Sequence, residues 1–318
     1  PTPADVRSDF LSILSLLYAR STSLTLVLKA GPDSISAARE PLAEIARDVA
    51  RLAHCASAFT VSGPTIRAEA IWAAEEVIES IQTYIIGLAR TSPIGSSSDP
   101  KTLMLRVGTI HSVIDRVKGS LSTDNRVAVG KRWQADAAHL DDAVREIKEM
   151  IEESESESTE EKDDFDDGWG EVMGGSGGKL APNEIEAAKK VMLLLRMIAL
   201  LHKRTMSRLI IPSTETNASE LDLESLLTLS TSLAAGSDDI ATTLWSPQDP
   251  QQITSRAKTV QDRVQALQGP LASSGLLPSD VGGQPTGDDP QTPSKDAEWF
   301  KMCFDQIDKA VRNITVNS

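Results

Sequence analysis

An acidic string in the middle of the chain has the residue types of a metal-binding motif. Asp163-Asp164-Phe165-Asp166-Asp167 spells DDxxD, which holds magnesium and diphosphate on a helix wall in terpenoid and prenyl synthases. A hard divalent cation needs several oxygen ligands in a fixed arrangement. The string lies in low-complexity sequence, and no second acidic cluster lies on a facing predicted helix. We therefore interpret it as part of a solvated linker and predict no metal ligand.

The glycine-rich run that follows matches two other motifs by letter. Gly174-Gly175-Ser176-Gly177-Gly178 spells GxSxG, but a nucleophile elbow needs a strand before the serine and a helix after it, and the sequence predicts no strand. Gly178-Lys179 does not complete a phosphate loop, because Leu180 stands where a Ser or Thr would bind magnesium. We interpret this run as a flexible spacer.

The histidine and cysteine residues show no catalytic or metal-binding spacing. The histidines lie on separate predicted helices, without HExxH or a paired carboxylate, at His54, His111, His139 and His202. A histidine without a positioned partner is usually structural, and His202 continues an apolar stripe, so we expect it to pack. Cys55 and Cys303 form no CxxC pair, which suggests no zinc site and is typical of a reducing compartment. No catalytic, cofactor-binding or metal-binding residue is predicted, and we interpret the chain as not an enzyme.

The net charge is concentrated in one segment. The 318 residues include 46 acidic and 32 basic side chains, for a formal charge of −14. Residues 152–171 hold eleven acidic side chains and one lysine, so the rest of the chain carries only −4. No basic run is longer than Lys189-Lys190 or Lys203-Arg204, whereas nucleic-acid binding needs clustered positive charge. The longest apolar stretch, 191–201, is too short to span a bilayer. The sequence therefore argues against nucleic acid and membrane as partners.

Apolar residues recur at alternating spacings of three and four along most of the chain, which is typical of amphipathic α-helices. Residues 4–153 contain five such stripes joined by short connections, the arrangement of an antiparallel bundle. Pro41 is expected to kink the second helix or to mark its start, and Pro64 to open the third. Ser122, Thr123 and Asp124 are capping candidates for the fifth helix.

This periodicity is lost after the fifth stripe and then returns. Acidic, serine and glycine residues fill residues 154–182, a composition that cannot bury a core, so the segment is predicted to be a disordered linker. Stripes in residues 183–316 predict a second bundle of four or five helices. The fold class is thus all-α, with two antiparallel helical bundles joined by an acidic, glycine-rich linker.

The acidic linker carries two aromatic anchors for a protein partner. The predicted partner-binding set is Phe165, Trp169, Asp163, Asp164, Asp166 and Asp167. Large aromatic side chains carry a disproportionate share of interface energy. The alternative is that both aromatics fold back onto a bundle, because an exposed Trp is costly. Ser154 and Ser158 each precede a glutamate by three positions, which predicts acid-directed phosphorylation.

The order of several segments resembles a known family. Leu24-Thr25-Leu26-Val27-Leu28 ends the first helix, Asp124-Asn125-Arg126 begins the fifth, Met150-Ile151-Glu152-Glu153 ends it, and an acidic Trp-containing insert precedes a second helical half. In this order and spacing the chain resembles the cyclin-D-binding protein (GCIP) family, whose name records interaction with an adaptor protein and with D-type cyclins. The resemblance is clearest over residues 5–30 and 124–171.

The resemblance implies an all-helical, two-domain protein without catalytic activity or cofactors, located in the nucleus and cytoplasm. Its expected function is negative regulation of cell-cycle progression and of transcription through a protein partner such as a cyclin or a transcription regulator. Two alternatives stay open: an acidic chaperone-like binder of basic proteins such as histones, and a cytoskeletal bundle like those of vinculin and catenin. The chain begins without Met, so we expect a segment upstream of Pro1.

Overall fold

The regular elements of the protein are helices. The computed structural model describes residues 2–30, 36–90, 100–156, 179–211, 222–277 and 295–316, and no strand occurs among them. The all-α prediction is therefore confirmed for this part of the chain. The chain divides into two compact units, Pro1–Val129 and Gly130–Ser318, called unit 1 and unit 2 below.

Unit 1 is built on four helices. They are α1 (Pro3–Lys29), α2 (Arg39–Ala58), α3 (Pro64–Arg90) and α4 (Pro100–Ser120). Each helix packs on the next one in the chain, and α4 packs on α1, so the four form a closed ring around one core. The largest fully buried apolar side chains of this core are Phe10, Leu14, Leu17, Leu24, Leu52, Phe59, Ile66, Ile110 and Ile114.

Side-chain contacts show that α1 and α2 run antiparallel. Near the start of α1, Phe10 meets Phe59 just past the end of α2, with ring centroids 5.7 Å apart. Further along α1, Arg20 forms an ion pair at 3.3 Å with Glu44 near the start of α2. On α4, His111 stacks on Tyr18 of α1 with centroids 3.6 Å apart. His111 is thus a packing residue, and burial lowers its pKa.

The helix starts in unit 1 follow local sequence signals. Pro64 opens α3 and Pro41 lies in the first turn of α2, so both proline predictions are confirmed. Asp124 accepts a hydrogen bond from the Val127 backbone N–H at 3.0 Å, which confirms it as a cap for the next helix. Side-chain acceptors at such positions satisfy N–H groups that have no partner inside the helix.

Helix α1 is long and apolar enough to cross a membrane by length and composition, with a mean hydropathy of 1.5 over an 18-residue window. Sequence inspection by apolar run length did not single out this helix. In the structure its stripe of Phe10, Leu14, Leu17 and Leu24 is fully buried against the other helices. Its Arg20 also forms an ion pair with the buried Asp48 of α2. Of the apolar window, 28% is buried inside the protein, along the face that packs on the core of unit 1.

Unit 2 contains the remaining helices of the described residues. They are α5 (Asn125–Ser156), whose first turn lies in unit 1, then α6 (Pro182–Thr205), α7 (Leu223–Ala241), α8 (Pro250–Gln265), α9 (Gln268–Ser273) and α10 (Lys295–Thr315). Helix α10 packs on α6 and α8, and α7 packs on α8. Helix α6 continues into a π-helical turn, Met206–Ile210.

The division between the two units falls within α5, after Val129. The five-helix bundle of residues 4–153 and the second bundle of residues 183–316 stay predictions about domains. In the division by contacts, most of α5 groups with unit 2. The reason is that Trp133 and Asp136 of α5 are buried and contact α6 and α7, and periodicity alone does not reveal which helices a stripe faces.

The predicted linker, 154–182, overlaps elements that the structure describes. Helix α5 continues to Ser156, and α6 begins at Pro182. Before α6, Leu180 is buried. The central part of this predicted linker, residues 157–178, lies outside the described residues.

Candidate functional site

Most of the residues predicted to bind a partner lie outside the described part of the chain. These are Phe165, Trp169, Asp163, Asp164, Asp166 and Asp167, together with the phosphorylation candidate Ser158. Their partner-binding role therefore remains a prediction. The second phosphorylation candidate, Ser154, is described.

Ser154 lies in the last turns of α5 and its hydroxyl is engaged. The hydroxyl donates to the Met150 carbonyl oxygen at 2.8 Å and accepts from the Leu180 backbone N–H at 3.4 Å. The side chain is half-buried. A phosphoryl group here would have to displace Leu180 from the end of α5, so modification and packing compete at this position.

The candidate site in unit 1 is a groove of about 670 Å³ between α3 and α4. The two walls follow one face of each helix. Its lining residues are Glu76, Glu79, Ser80, Thr83, Tyr84, Ile86 and Gly87 on α3, and Arg106, Thr109 and Val113 on α4. Ile86 is 50% exposed, so apolar surface is available at the rim. We refer to these residues as the α3–α4 groove.

Arg106 occupies one end of the groove, where it crosses Gly87. A Cβ atom built at Gly87 would overlap the Arg106 guanidinium at Nη1. Only glycine at this helical position lets the side chain lie so close to the α3 backbone. The Nη1 atom is buried and has no hydrogen-bond partner in the structure. An Arg nitrogen left in this state is an unused donor.

Tyr84 lies at the base of the groove and is 2% exposed. Thr25 donates its hydroxyl hydrogen to the Ser21 carbonyl oxygen at 2.7 Å. The Tyr84 hydroxyl, 2.7 Å from Thr25 Oγ1, must therefore be the donor in that pair. Burial raises the pKa of Tyr84, although the Thr25 hydrogen bond and the positive charge of Arg106 oppose the shift. The groove thus has a neutral phenol at its base.

Charged side chains of both signs line the groove. Glu76 forms an ion pair with Arg116 across the two helices. Glu79, one turn further along α3, is exposed. The groove therefore has carboxylates at one end and a guanidinium at the other, with the exposed apolar side chain of Ile86 at its rim. This arrangement suits a peptide segment with a basic, an acidic and an apolar side chain.

Unit 2 contains a buried polar network that has the residue types of a catalytic triad. Ser230 donates to Asp136 Oδ2 at 2.6 Å, and His202 Nε2 lies 2.7 Å from Ser230 Oγ. Because the hydroxyl hydrogen is used on Asp136, the histidine must be the donor to Ser230. In a catalytic triad the serine donates to the histidine instead. His202 and Ser230 are both fully buried, so the network is structural.

The protonation state of His202 follows from this connectivity. Its Nδ1 atom is buried without a partner, so a second proton would have no acceptor. Burial lowers the pKa of His202 to about 4. The sequence analysis expected His202 to pack, which is confirmed, but it missed Ser230 and Asp136. A polar residue within an apolar stripe, as at Asp136, is the only signal that such a network leaves in the sequence.

Among the described residues, no three His, Cys, Asp or Glu side chains come together in a way that could hold a metal ion. The groove residues were not predicted from the sequence. Gly87 within a helical stripe was the available signal, because a helical glycine often marks a close approach by another group.

Comparison with known proteins identifies two domains. The N-terminal domain model described as "Grap2 and cyclin-D-interacting" matches residues 9–153. The C-terminal domain model of the same description matches residues 165–269. A search of curated proteins found no match. The two matched domains follow each other in order and together account for most of the chain.

Proposed function

Because this chain belongs to the Grap2 and cyclin-D-interacting protein family, we propose that it is a non-enzymatic regulator that binds a D-type cyclin or a Grap2-type adaptor. The family match over both domains is the observation that carries this proposal. Its cellular role would be negative control of cell-cycle progression and of transcription, in the nucleus and the cytoplasm.

The α3–α4 groove supports this function as the binding surface of unit 1. It combines an exposed apolar side chain, Ile86, with the exposed carboxylate of Glu79 and the positive charge of Arg106. Interfaces gain affinity where apolar contacts are surrounded by complementary charges. Two helices hold the lining residues, so the groove is formed before a partner arrives and loses little entropy on binding.

A binding measurement with a purified D-type cyclin tests the proposal. Glu79→Arg reverses one charge in the groove and should weaken binding about tenfold, an effect typical of a lost interfacial charge contact. Asp9→Arg makes the same change on the exposed face of α1 and serves as the matched control. Unchanged affinity for the cyclin in both variants would show that the cyclin-binding site is not the groove. Absence of binding by the unmodified chain would reject the cyclin as partner.

The acidic segment 152–171 favours a second candidate, a binder of basic proteins such as histones. Attraction between exposed charges is screened over about 8 Å at physiological ionic strength. Binding of a histone by this mechanism should therefore collapse between low and moderate salt. Binding of a cyclin through the groove should weaken less over the same range, because apolar contacts there add to the charge contacts.

A further inference from the structure

Two arginines of unit 2 converge on one aspartate. Arg204 Nη2 lies 2.5 Å from Asp296 Oδ1, and Arg208 Nη2 lies 3.1 Å from the same oxygen. Arg204 is in the last turn of α6 and Arg208 is in the π-helical turn that follows. Asp296 is in the first turn of α10. The π turn thus continues α6 far enough for a second guanidinium to reach the same point.

Neither arginine uses both donors of its Nε–Nη2 edge. The Nε–Nη2 edge of a guanidinium matches two oxygens of one carboxylate or phosphate. Asp296 meets each edge only at Nη2 and with a single oxygen. The Nε atoms of Arg204 and Arg208 are buried and have no hydrogen-bond partner in the structure. The two Nη2 groups therefore meet at one carboxylate oxygen, and the Nε donor beside each of them is unused.

The surroundings favour an anion at this location. The two guanidiniums carry two positive charges and Asp296 neutralises one. The N-terminus of α10 adds the partial positive charge of its first-turn N–H groups. Trp299 lies against Arg204, with the guanidinium carbon 5.5 Å from the ring centroid, which fixes the orientation of the fork. Glu298 in the same turn of α10 is exposed and opposes binding, while Lys203 is engaged with Asp141.

We propose that Arg204 and Arg208 bind a phosphoryl group carried by a side chain of a protein partner, with Asp296 as the internal stand-in for that group. A phosphoryl group offers three oxygens, enough to complete both forks, whereas Asp296 supplies one. The two arginine side chains are 37% and 42% exposed, so the site is shallow, and a ligand needs further contacts elsewhere. Only one part of this proposal rests on the proposed function, namely that the phosphoryl group belongs to a protein partner.

The direct test uses inorganic phosphate and a phosphoserine peptide with the full chain. Nitrogen-15 NMR follows the Nε–H signals of the arginines, and both probes should shift those of Arg204 and Arg208. The unphosphorylated peptide should leave them in place. Asp296 competes with phosphate for the same donors. The substitution Asp296→Asn weakens this competing charge-assisted contact, so the variant should bind phosphate about threefold or more tightly.

A substitution of Arg208 separates the contribution of the planar guanidinium from that of its positive charge. Arg208→Lys keeps the charge but loses the planar fork, and phosphate affinity should fall about tenfold while the unfolding temperature is retained. Arg256→Gln, which removes a longer contact to Asp239 within unit 2 at 3.8 Å, is the control and should bind as the unmodified chain does.

Two results would overturn the inference. One is the absence of any Nε–H shift with either probe, and the other is weaker phosphate binding by Asp296→Asn in a variant whose unfolding temperature is unchanged. The phosphate experiment requires no cyclin, so its failure leaves the proposed function intact. Conversely, loss of cyclin binding would not affect the phosphate result.

Discussion

Trp133 stacks on His202 with ring centroids 4.6 Å apart, and its indole N–H donates to the His202 backbone carbonyl oxygen at 3.2 Å. The His202 backbone carbonyl thus accepts a hydrogen bond from Trp133, and the His202 ring is hydrogen-bonded through Nε2 to Ser230 Oγ. Both residues are fully buried. The stability of unit 2 consequently depends on a histidine that has to remain neutral.

Stability should therefore fall in mild acid. The pKa of His202 is about 4 in the folded chain against an ordinary value of 6.5, so the unfolded chain binds the proton more tightly. Stability is complete above the unfolded pKa and is lost as the pH falls from about 6.5 towards 4, by at most about 3 kcal/mol for this group. Urea unfolding followed by tryptophan fluorescence measures it.

The acid prediction needs a comparison, because carboxylates also titrate in this range. His202→Gln should be less stable at neutral pH but should lose less stability on acidification than the unmodified chain. His54→Gln, at an exposed position, should show the original pH dependence. Equal slopes in all three proteins would show that His202 does not cause the acid sensitivity.

The hydroxyl of Ser230 links two buried polar groups. Ser230→Ala leaves His202 Nε2 without an acceptor and leaves Asp136 with the Thr231 hydroxyl at 3.1 Å. An unsatisfied buried polar group costs about 1–3 kcal/mol, and we expect a loss of that size in the free energy of unfolding. Thr228→Ala, exposed on the same helix, should change it by about 0.5 kcal/mol or less. A similar loss in both variants would contradict the network.

The sequence predicts where the helices lie better than it predicts which helices pack on one another. Spacings of three and four report that one face is buried, and Pro64 and Asp124 mark helix starts by their own backbone chemistry, so these features were correctly predicted. The stripe through Trp133 also predicts burial, but it does not say which helices cover it. The pairing of Gly87 with Arg106 joins two helices and depends on how they cross, which local patterns do not encode.

Gly87→Ala tests the groove without removing any charged group. The added methyl overlaps the end of the flexible Arg106 side chain, which can swing away, so the fold should tolerate it. Alanine is also the better helix former, by up to about 1 kcal/mol. We expect equal or higher stability together with weaker binding of the cyclin, measured by calorimetry on one preparation.

Gly108→Ala is the matched control for that substitution. A Cβ atom at Gly108 would contact nothing within 4 Å, so this variant should gain helix stability and bind normally. If both alanine variants bind as the unmodified chain does, the position of Arg106 has no role in partner binding. If Gly87→Ala unfolds the bundle, the close approach is structural rather than functional.

Removing only Arg20 from its ion pair with Asp48 in unit 1 should lower the free energy of unfolding. Asp48 is fully buried, and Arg20 also donates to the Glu44 carbonyl oxygen at 3.1 Å. Arg20→Met leaves the buried carboxylate with the more exposed Arg51 Nη1 at 3.4 Å as its remaining ion-pair partner, and should cost about 3 kcal/mol or less of unfolding free energy. The double variant Arg20→Met/Asp48→Leu removes both charges and should recover most of that loss. Denaturant titration of the three proteins decides whether the pair acts as a unit.

The aromatic residues of the acidic segment give the last prediction. The match to the C-terminal family domain covers residues 165–269 and so includes Phe165 and Trp169. Phe165→Ala/Trp169→Ala removes the predicted anchors but keeps every carboxylate. Affinity capture from the native cell should then lose the partner, about tenfold or more for two interface aromatics. Gly175→Ala/Ser176→Ala, in the neighbouring glycine-rich run, should retain it. If both baits recover the same proteins in the same amounts, the anchors are not the site, and the α3–α4 groove becomes the surface to mutate.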